Sequence, residues 1–242
     1  MNIPASDLER LNNCRHHAPH DFYGWHEGTV RTRRPGAEAV ELVTAAETVA
    51  MTAVGDDIWE APLAEESDYR LRITYPDQPA IEVADGYHFL PTLGTLDQHL
   101  IGEGRHERLW DVLGANLKTY TTDMGEVTGT AFAVWAPNAE GVAVVGDFCG
   151  WNPTQYPMRC LGSTGIWEVF IPGVGEGERY KFAVHGKNSP RIDKADPLAK
   201  RTIAPPETAS VVTKSEFAWS DDEWMAQRND DLDVPMSVYE LH

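Results

Sequence analysis

Long apolar runs are missing from this chain. No stretch of eighteen apolar residues occurs in its 242 residues, so no membrane-spanning helix is expected. The opening segment, MNIPASDLERLNN, is polar and lacks an apolar centre, which excludes a secretory signal. Cysteine is scarce. Cys14, Cys149 and Cys160 are odd in number and form no CxxC pair, a usage that suggests reduced thiols in a cytoplasm. An approach of Cys149 to Cys160 across a hairpin is the alternative. Basic residues are few: 20 Lys and Arg stand against 38 Asp and Glu, a net charge of −18. Such a surface repels nucleic acid and anionic membranes, so neither is expected as a partner. It does not repel a neutral ligand such as a sugar polymer. The excess is spread along the chain, with −10 on residues 1–120 and −8 on residues 121–242, and reads as a solvated acidic surface.

Helix signals are also few. TLDQHLIGEGRHERLWDVLGAN (95–116) is the best candidate, with Leu109, Trp110 and Leu113 fitting a short amphipathic turn that Gly114 would end. What is abundant is short runs rich in Val, Ile, Tyr and Trp, cut by Gly, Pro, Asp and Asn. VELVT, YRLRITY, TAFAVWA, GVAVVGDF, IWEVFIP and RYKFAVH all read as strands. The pattern predicts an all-β chain.

The runs repeat in order. VRTRRPGAEAVELV (30–43) lies over FAVWAPNAEGVAVV (132–145), and IWEAPL (58–63) over IWEVFI (166–171). DYRLRITY (68–75) lies over RYKFAVHG (179–186), matching Tyr69 to Tyr180; VADGYHF (83–89) then keeps step with KADPLAK (194–200). The repeat predicts two tandem immunoglobulin-like β-sandwiches of about 100 residues each. The boundary falls in the polar, turn-rich GANLKTYTTDMGEVTG, giving modules over 1–116 and 117–230. Residues 216–233 then hold seven acids and one base. A solvated linker explains them; Trp219 and Trp224 offer apolar groups to a partner surface instead.

FAVWAPNAEGVAVVGDFCGWNP (132–153), GIWEVFIPGVGEGERYKFAVHG (165–186) and DKADPLAKR (193–201) together resemble the carbohydrate-binding module that stands beside α-amylase-type catalytic barrels. HHAPHDFYGWHEG (16–28), YRLRITYPD and ADGYHFLPTLGTLDQHLIGEGRHERLWDVLGA resemble the extra N-terminal module of actinobacterial glycogen branching enzymes. The resemblance runs from about Cys14 to His242. It implies that residues 231–242, with VPMSVYELH, are a linker and the first strand of a catalytic (β/α)₈ barrel whose remainder is missing. Such an enzyme cleaves an α-1,4 bond and moves the freed chain to a 6-hydroxyl, using a carboxylate nucleophile and a carboxylic acid at barrel strand ends. No catalytic residue is assigned here, and no cofactor or metal is expected. The implied partners are α-1,4-glucan, as glycogen or maltooligosaccharide, and the chain's own barrel. A stand-alone glycogen-binding regulatory protein, the front of a debranching hydrolase, and a purely structural pair of sandwiches are the alternatives.

Sugar recognition needs a flat aromatic ring against C–H faces and donors against hydroxyls. Trp151, in a Gly/Asn/Pro turn, matches the module's glucose-stacking tryptophan, and Lys181 in RYKF matches a lysine that donates to sugar hydroxyls. Asn152 is a polar neighbour by position alone. Packing of Trp151 onto its own sandwich and simple exposure of Lys181 are the rival readings. HGKNSPRI (185–192) lacks the second tryptophan of strong binders, which predicts weak binding.

Trp135 and Trp167 read as core, and Tyr69 and Tyr180 as framework. Asp85, Asp193 and Asp196 are expected to bond backbone N–H groups at turns. His16, His17, His20 and His26 invite a metal reading, but only Cys14 is near, and the resemblance implies that they are framework.

Overall fold

The computed structural model describes residues 3–187, 189–228, 235 and 237–241. The chain is mostly β-sheet, and every strand pairing is antiparallel. The first sandwich holds β1 (Gly24–His26), β2 (Thr29–Arg33), β3 (Ala39–Val43), β4 (Thr48–Ala50), β5 (Thr52–Gly55), β6 (Ile58–Pro62), β7 (Arg70–Thr74) and β8 (Ile81–Ala84). Its sheets run β1-β2-β6-β5 and β4-β3-β7-β8. The second holds β9 (Gly114–Thr122), β10 (Gly125–Trp135), β11 (Ala139–Gly146), β12 (Arg159–Cys160), β13 (Ile166–Pro172), β14 (Arg179–Gly186), β15 (Ile192–Lys194) and β16 (Ser210–Val211). Here the sheets are β12-β13-β10-β9 and β11-β14-β15, with β16 also on β14. Neither pair closes into a barrel. Val30, Leu42, Leu71 and Ile73 meet in one core, and Phe132, Val144, Trp167, Val169 and Phe182 in the other.

All six expected strand runs are strands. The helix expected within 95–116 is shorter: α2 spans Thr95–Gly102, only a 3₁₀ turn follows at Leu109–Asp111, and Gly114 begins β9. The turn-rich stretch after it is the β9–β10 hairpin, so a division after Asn116 falls inside a strand. Thr119, Thr121 and Asp123 are exposed there, which made a strand look like a linker. Two further helices, α1 (Ala5–Asn12) and α3 (Asp222–Gln227), carry no strong sequence signal. Trp135 departs from the core reading. Phe132 and Val134 face inward, so the odd positions of β10 face out, and Trp135 is 57% exposed. Trp219 and Trp224 are 75% and 62% exposed. Of the expected barrel strand, Val234, Met236 and His242 lie outside the described residues, and 237–241 carry no sheet pairing.

The repeat is visible at atomic level. Tyr69 Oη donates to Asp85 Oδ2 at 2.9 Å, and Tyr180 Oη to Asp196 Oδ2 at 2.5 Å. In each copy the other carboxylate oxygen accepts the backbone N–H two residues on, from Tyr87 and from Leu198. All four side chains are buried. Burial pushes both phenols above their ordinary range, which keeps them protonated as donors.

Two segments of the first sandwich cross onto the second, beside contacts from Asp68 and Arg70 to the β9–β10 hairpin. On β13, Trp167, Val169 and Ile171 face the core of their own sandwich, while Phe170 packs beneath Phe89 and Tyr120, each ring centre 4.8 Å away. Both faces are covered, which is why IWEVFI reads as a continuous apolar run rather than an alternating one. Glu168 interrupts that run and is 0% exposed. Its carboxylate pairs with Arg159 and accepts Thr92 N–H at 3.1 Å and Thr92 Oγ1–H at 2.8 Å; Arg159 also donates to the Phe89 carbonyl. Gly86 must be glycine here, because a Cβ would strike the Phe170 carbonyl. The second crossing is near the N-terminus. The His17 carbonyl accepts Cys160 N–H at 2.7 Å, Arg15 pairs with Glu140, and a Cβ on Gly141 would strike the Cys14 carbonyl.

The N-terminal histidines have separate partners, and His17 is the one that reaches the second sandwich by a ring contact. His16 sits 3.5 Å from Asp7, His17 lies edge-on to Trp167, His20 edge-on to Tyr87, and His26 Nε2 lies 2.7 Å from the His20 carbonyl. Among the described residues no group of three or more His, Cys, Asp or Glu is placed to hold a metal. Burial lowers the pKa of His16, His185 and, most, His20.

Two outcomes are expected. Glu168→Ala leaves Arg159 partly buried without its partner and lowers the unfolding free energy in urea by about 3–5 kcal/mol. Arg72→Ala, at an exposed pair, costs on the order of 0–1 kcal/mol. The second outcome concerns pH. The unfolded chain protonates His20 near 6.5, whereas the fold resists it, so stability is complete above 6.5 and falls as pH drops through that value. His20 alone contributes about 1.4 kcal/mol per pH unit, and the more exposed His16 and His185 add less. Urea unfolding repeated one unit above and one below 6.5 checks this; equal stabilities contradict it.

Candidate functional site

β11 and β14 lie side by side, with Val145 opposite Lys181 and Ala143 opposite Ala183. Val142, Val144, Tyr180 and Phe182 point into the core, so Ala143, Val145, Lys181 and Ala183 point out. The small side chains on this outer face leave a shallow seat, and the Trp151 ring packs over Ala143, Val145 and Ala183. Part of the indole remains in contact with solvent.

The loop that delivers Trp151 is tightly made. β11 ends at Gly146, and a 3₁₀ turn spans Asp147–Cys149. Gly150 and Trp151 follow with φ of 56° and 61°. A left-handed backbone suits glycine but strains a residue as large as tryptophan. The strain is held by closure: Trp151 N–H donates to Gly146 O and Asn152 N–H to Cys149 O, each at 3.0 Å. The indole Nε1–H donates to Asp147 Oδ1 at 3.1 Å. Asp147 is fixed in turn by Arg179, whose Nε and Nη2 reach its two oxygens at 2.6 and 3.1 Å. These hydrogen bonds hold the Asp147 carboxyl below its ordinary range, so it stays an acceptor for the indole. Arg191, paired with Asp193, reaches the Trp151 carbonyl at 3.5 Å.

The three sequence-derived residues therefore occupy different situations. Trp151 and Lys181 belong to one outward sheet face. Lys181 Nζ donates to Thr208 Oγ1 at 2.8 Å, which holds the ammonium at the surface. Asn152 adjoins them in sequence, but its carboxamide oxygen accepts Thr154 N–H and Oγ1–H at 3.0 and 2.8 Å. It is a turn residue first. Asp147, Arg179 and Thr208 were not visible as site residues from sequence. The opposite charges of Asp147 and Arg179 become neighbours only once Gly146 is registered against Tyr180. Asp193 bonds Arg191 rather than a backbone N–H. The face offers an aromatic ring, an ammonium and the Thr208 hydroxyl, and the carboxylates of Asp147 and Asp193 are each paired with arginine.

Residues 112–199 match carbohydrate-binding module 48 (isoamylase N-terminal domain), and residues 4–87 match the N-terminal domain of alpha-1,4-glucan branching enzyme GlgB. The chain is 57% identical over 248 residues to 1,4-alpha-glucan branching enzyme GlgB of Corynebacterium efficiens, covering 99% of this chain and 34% of that protein. It is 58% identical to the protein of that name from Corynebacterium diphtheriae and 52% identical to that from Rhodococcus jostii, covering 97% and 98% of this chain and 34% of each relative. The chain thus spans about a third of the length of the curated relatives it matches. Pullulanase type I from Bacillus subtilis str. 168 aligns at a TM-score of 0.35 and 18% identity over 79% of this chain and 26% of that one, a likeness too slight to carry an inference. No helix among the described residues is long and apolar enough to cross a membrane. By these matches the chain is similar, over nearly its whole length, to the part of the 1,4-alpha-glucan branching enzymes GlgB that holds the N-terminal domain and the carbohydrate-binding module.

Proposed function

We propose that this chain serves within a 1,4-α-glucan branching enzyme of the cytoplasm as the part that holds glucan and orients the catalytic barrel. In this reading the N-terminal module runs up to the start of β9 at Gly114, the glucan-binding module runs from there to residue 230, and residues 231–242 lead into the barrel. Trp151 stacks on a glucose ring, Lys181 donates to its hydroxyls, and Asn152 borders the site. The chain itself supplies no catalytic group. A weak site tethered beside a catalytic centre raises the local concentration of chain ends without changing the chemical step.

The observation that carries this reading is the partly buried indole of Trp151, which keeps some contact with solvent. It is held in a strained left-handed backbone and aimed by an Asp147–Arg179 pair, on the same face as Lys181. Strain at a surface aromatic is unusual unless its placement serves something. A second reading has its own support: the ring covers Ala143, Val145 and Ala183, so it also serves as packing. In that reading both sandwiches only support the barrel.

Titration with maltoheptaose, followed by indole fluorescence and calorimetry, separates the two. Weak saturable binding is expected. Trp151→Ala loses on the order of 1–3 kcal/mol, by analogy with base stacking, and Lys181→Ala weakens binding while leaving the ring in place. Absence of binding by the unaltered chain leaves only the packing reading.

A further inference from the structure

A cleft of about 440 Å³ lies between the two sandwiches, behind the loop that carries Trp151. One wall comes from the first sandwich, with Arg34, Tyr75 and Gln78; the other comes from the Trp151 loop and its continuation, with Phe148, Gln155 and Tyr156. The volume falls in the range of about 300–1,000 Å³ usual for small-molecule sites, and domain junctions are a common place for them.

The chemistry of the walls is specific. Three aromatic rings supply flat apolar surface, two carboxamides supply donors and acceptors, and no carboxylate lines the cleft. Arg34 is 2% exposed. Its Nη1 donates to the Arg33 carbonyl at 3.2 Å, and its Nη2 stands 3.6 Å from Asp85 Oδ1. Its Nε is buried and has no hydrogen-bond partner among the described residues. A buried N–H of a charged group left unmet is costly, so an acceptor is needed there. The charge of Arg34 is already faced by Asp85. The site therefore asks for a neutral acceptor rather than an anion. Rings on both sides, amides and one guanidinium N–H are the groups that a neutral polyol with apolar C–H faces would require.

We propose that this cleft binds a short stretch of α-glucan, two or so glucose units in length, as a second subsite behind Trp151. The inference rests on the glucan reading of the outer face and adds a different set of contacts to it. Because each sandwich supplies one wall, an occupant there bridges the modules.

The test is an ¹⁵N NMR titration of the full chain with maltotriose, reading the Arg34 Nε–H and Trp151 Nε1–H resonances separately. Unaltered chain, Trp151→Ala and Ile81→Trp are compared; Ile81 stands at the cleft rim, 45% exposed, where an indole blocks entry without disturbing the core. The Arg34 resonance is expected to shift saturably in the unaltered chain and in Trp151→Ala. In Ile81→Trp the same shift needs at least tenfold more sugar, while the Trp151 titration is unchanged. A Trp151 response with an unmoved Arg34 resonance overturns the cleft and leaves the outer face standing. An Arg34 response to inorganic phosphate but not to maltotriose overturns the neutral-sugar assignment. An Arg34 shift that Ile81→Trp leaves unchanged also overturns it, and silence of both resonances overturns both sites.

Discussion

A carboxylate with no solvent contact, that of Glu168, sits where the two sandwiches meet, and much of the molecule is arranged around it. An isolated buried charge of this kind costs several kcal/mol unless it is paired and hydrogen-bonded. The pairing comes from Arg159 on the neighbouring strand, and the remaining acceptors are met by Thr92. Those partners belong to different halves of the chain. The segment after β8 is therefore obliged to lie along the outer face of β13, carrying Phe89 onto Phe170 and Tyr87 toward the Pro157 carbonyl. One buried charge thus fixes how one sandwich is presented to the other.

The same crossing segment reaches the candidate site from behind. Tyr87 Oη donates to the Pro157 carbonyl at 3.1 Å, at the end of the loop that begins with Asp147 and carries Trp151. The front of that loop is held by Arg179 and Arg191. Trp151 is consequently fixed from three sides, two within its own module and one through the other. The duplicated Tyr–Asp pair serves different ends in the two sandwiches. Asp196 closes a turn beside Gly114, whereas Asp85 closes the turn that starts the crossing segment and also faces Arg34. An equivalent residue has become part of the joint in one copy only.

Strand positions were legible because short Val, Ile and aromatic runs between turn residues fold locally. The repeat was legible because Tyr69 and Tyr180, and Asp85 and Asp196, keep their spacing. Trp151 and Lys181 were found through the resemblance, and their common sheet face follows from register. Other features were hidden for physical reasons. Trp135 looks like core until the parity of β10 is known. Residues 114–122 look like a linker because polar residues such as Thr119 and Thr121 face water along the strand. Glu168 looks like a lone acid interrupting an apolar run; its partner at Thr92, far away in sequence, is what lets it be buried. Arg34 and the cleft it lines exist only once both modules are placed.

The central claim is that the joint makes the two sandwiches one cooperative body, so that the Trp151 loop is held by both. Differential scanning calorimetry of the chain tests it most directly. One transition, with calorimetric and van't Hoff enthalpies equal, is expected. Two separated transitions, with the second sandwich keeping its near-ultraviolet signal after the first has melted, would contradict it.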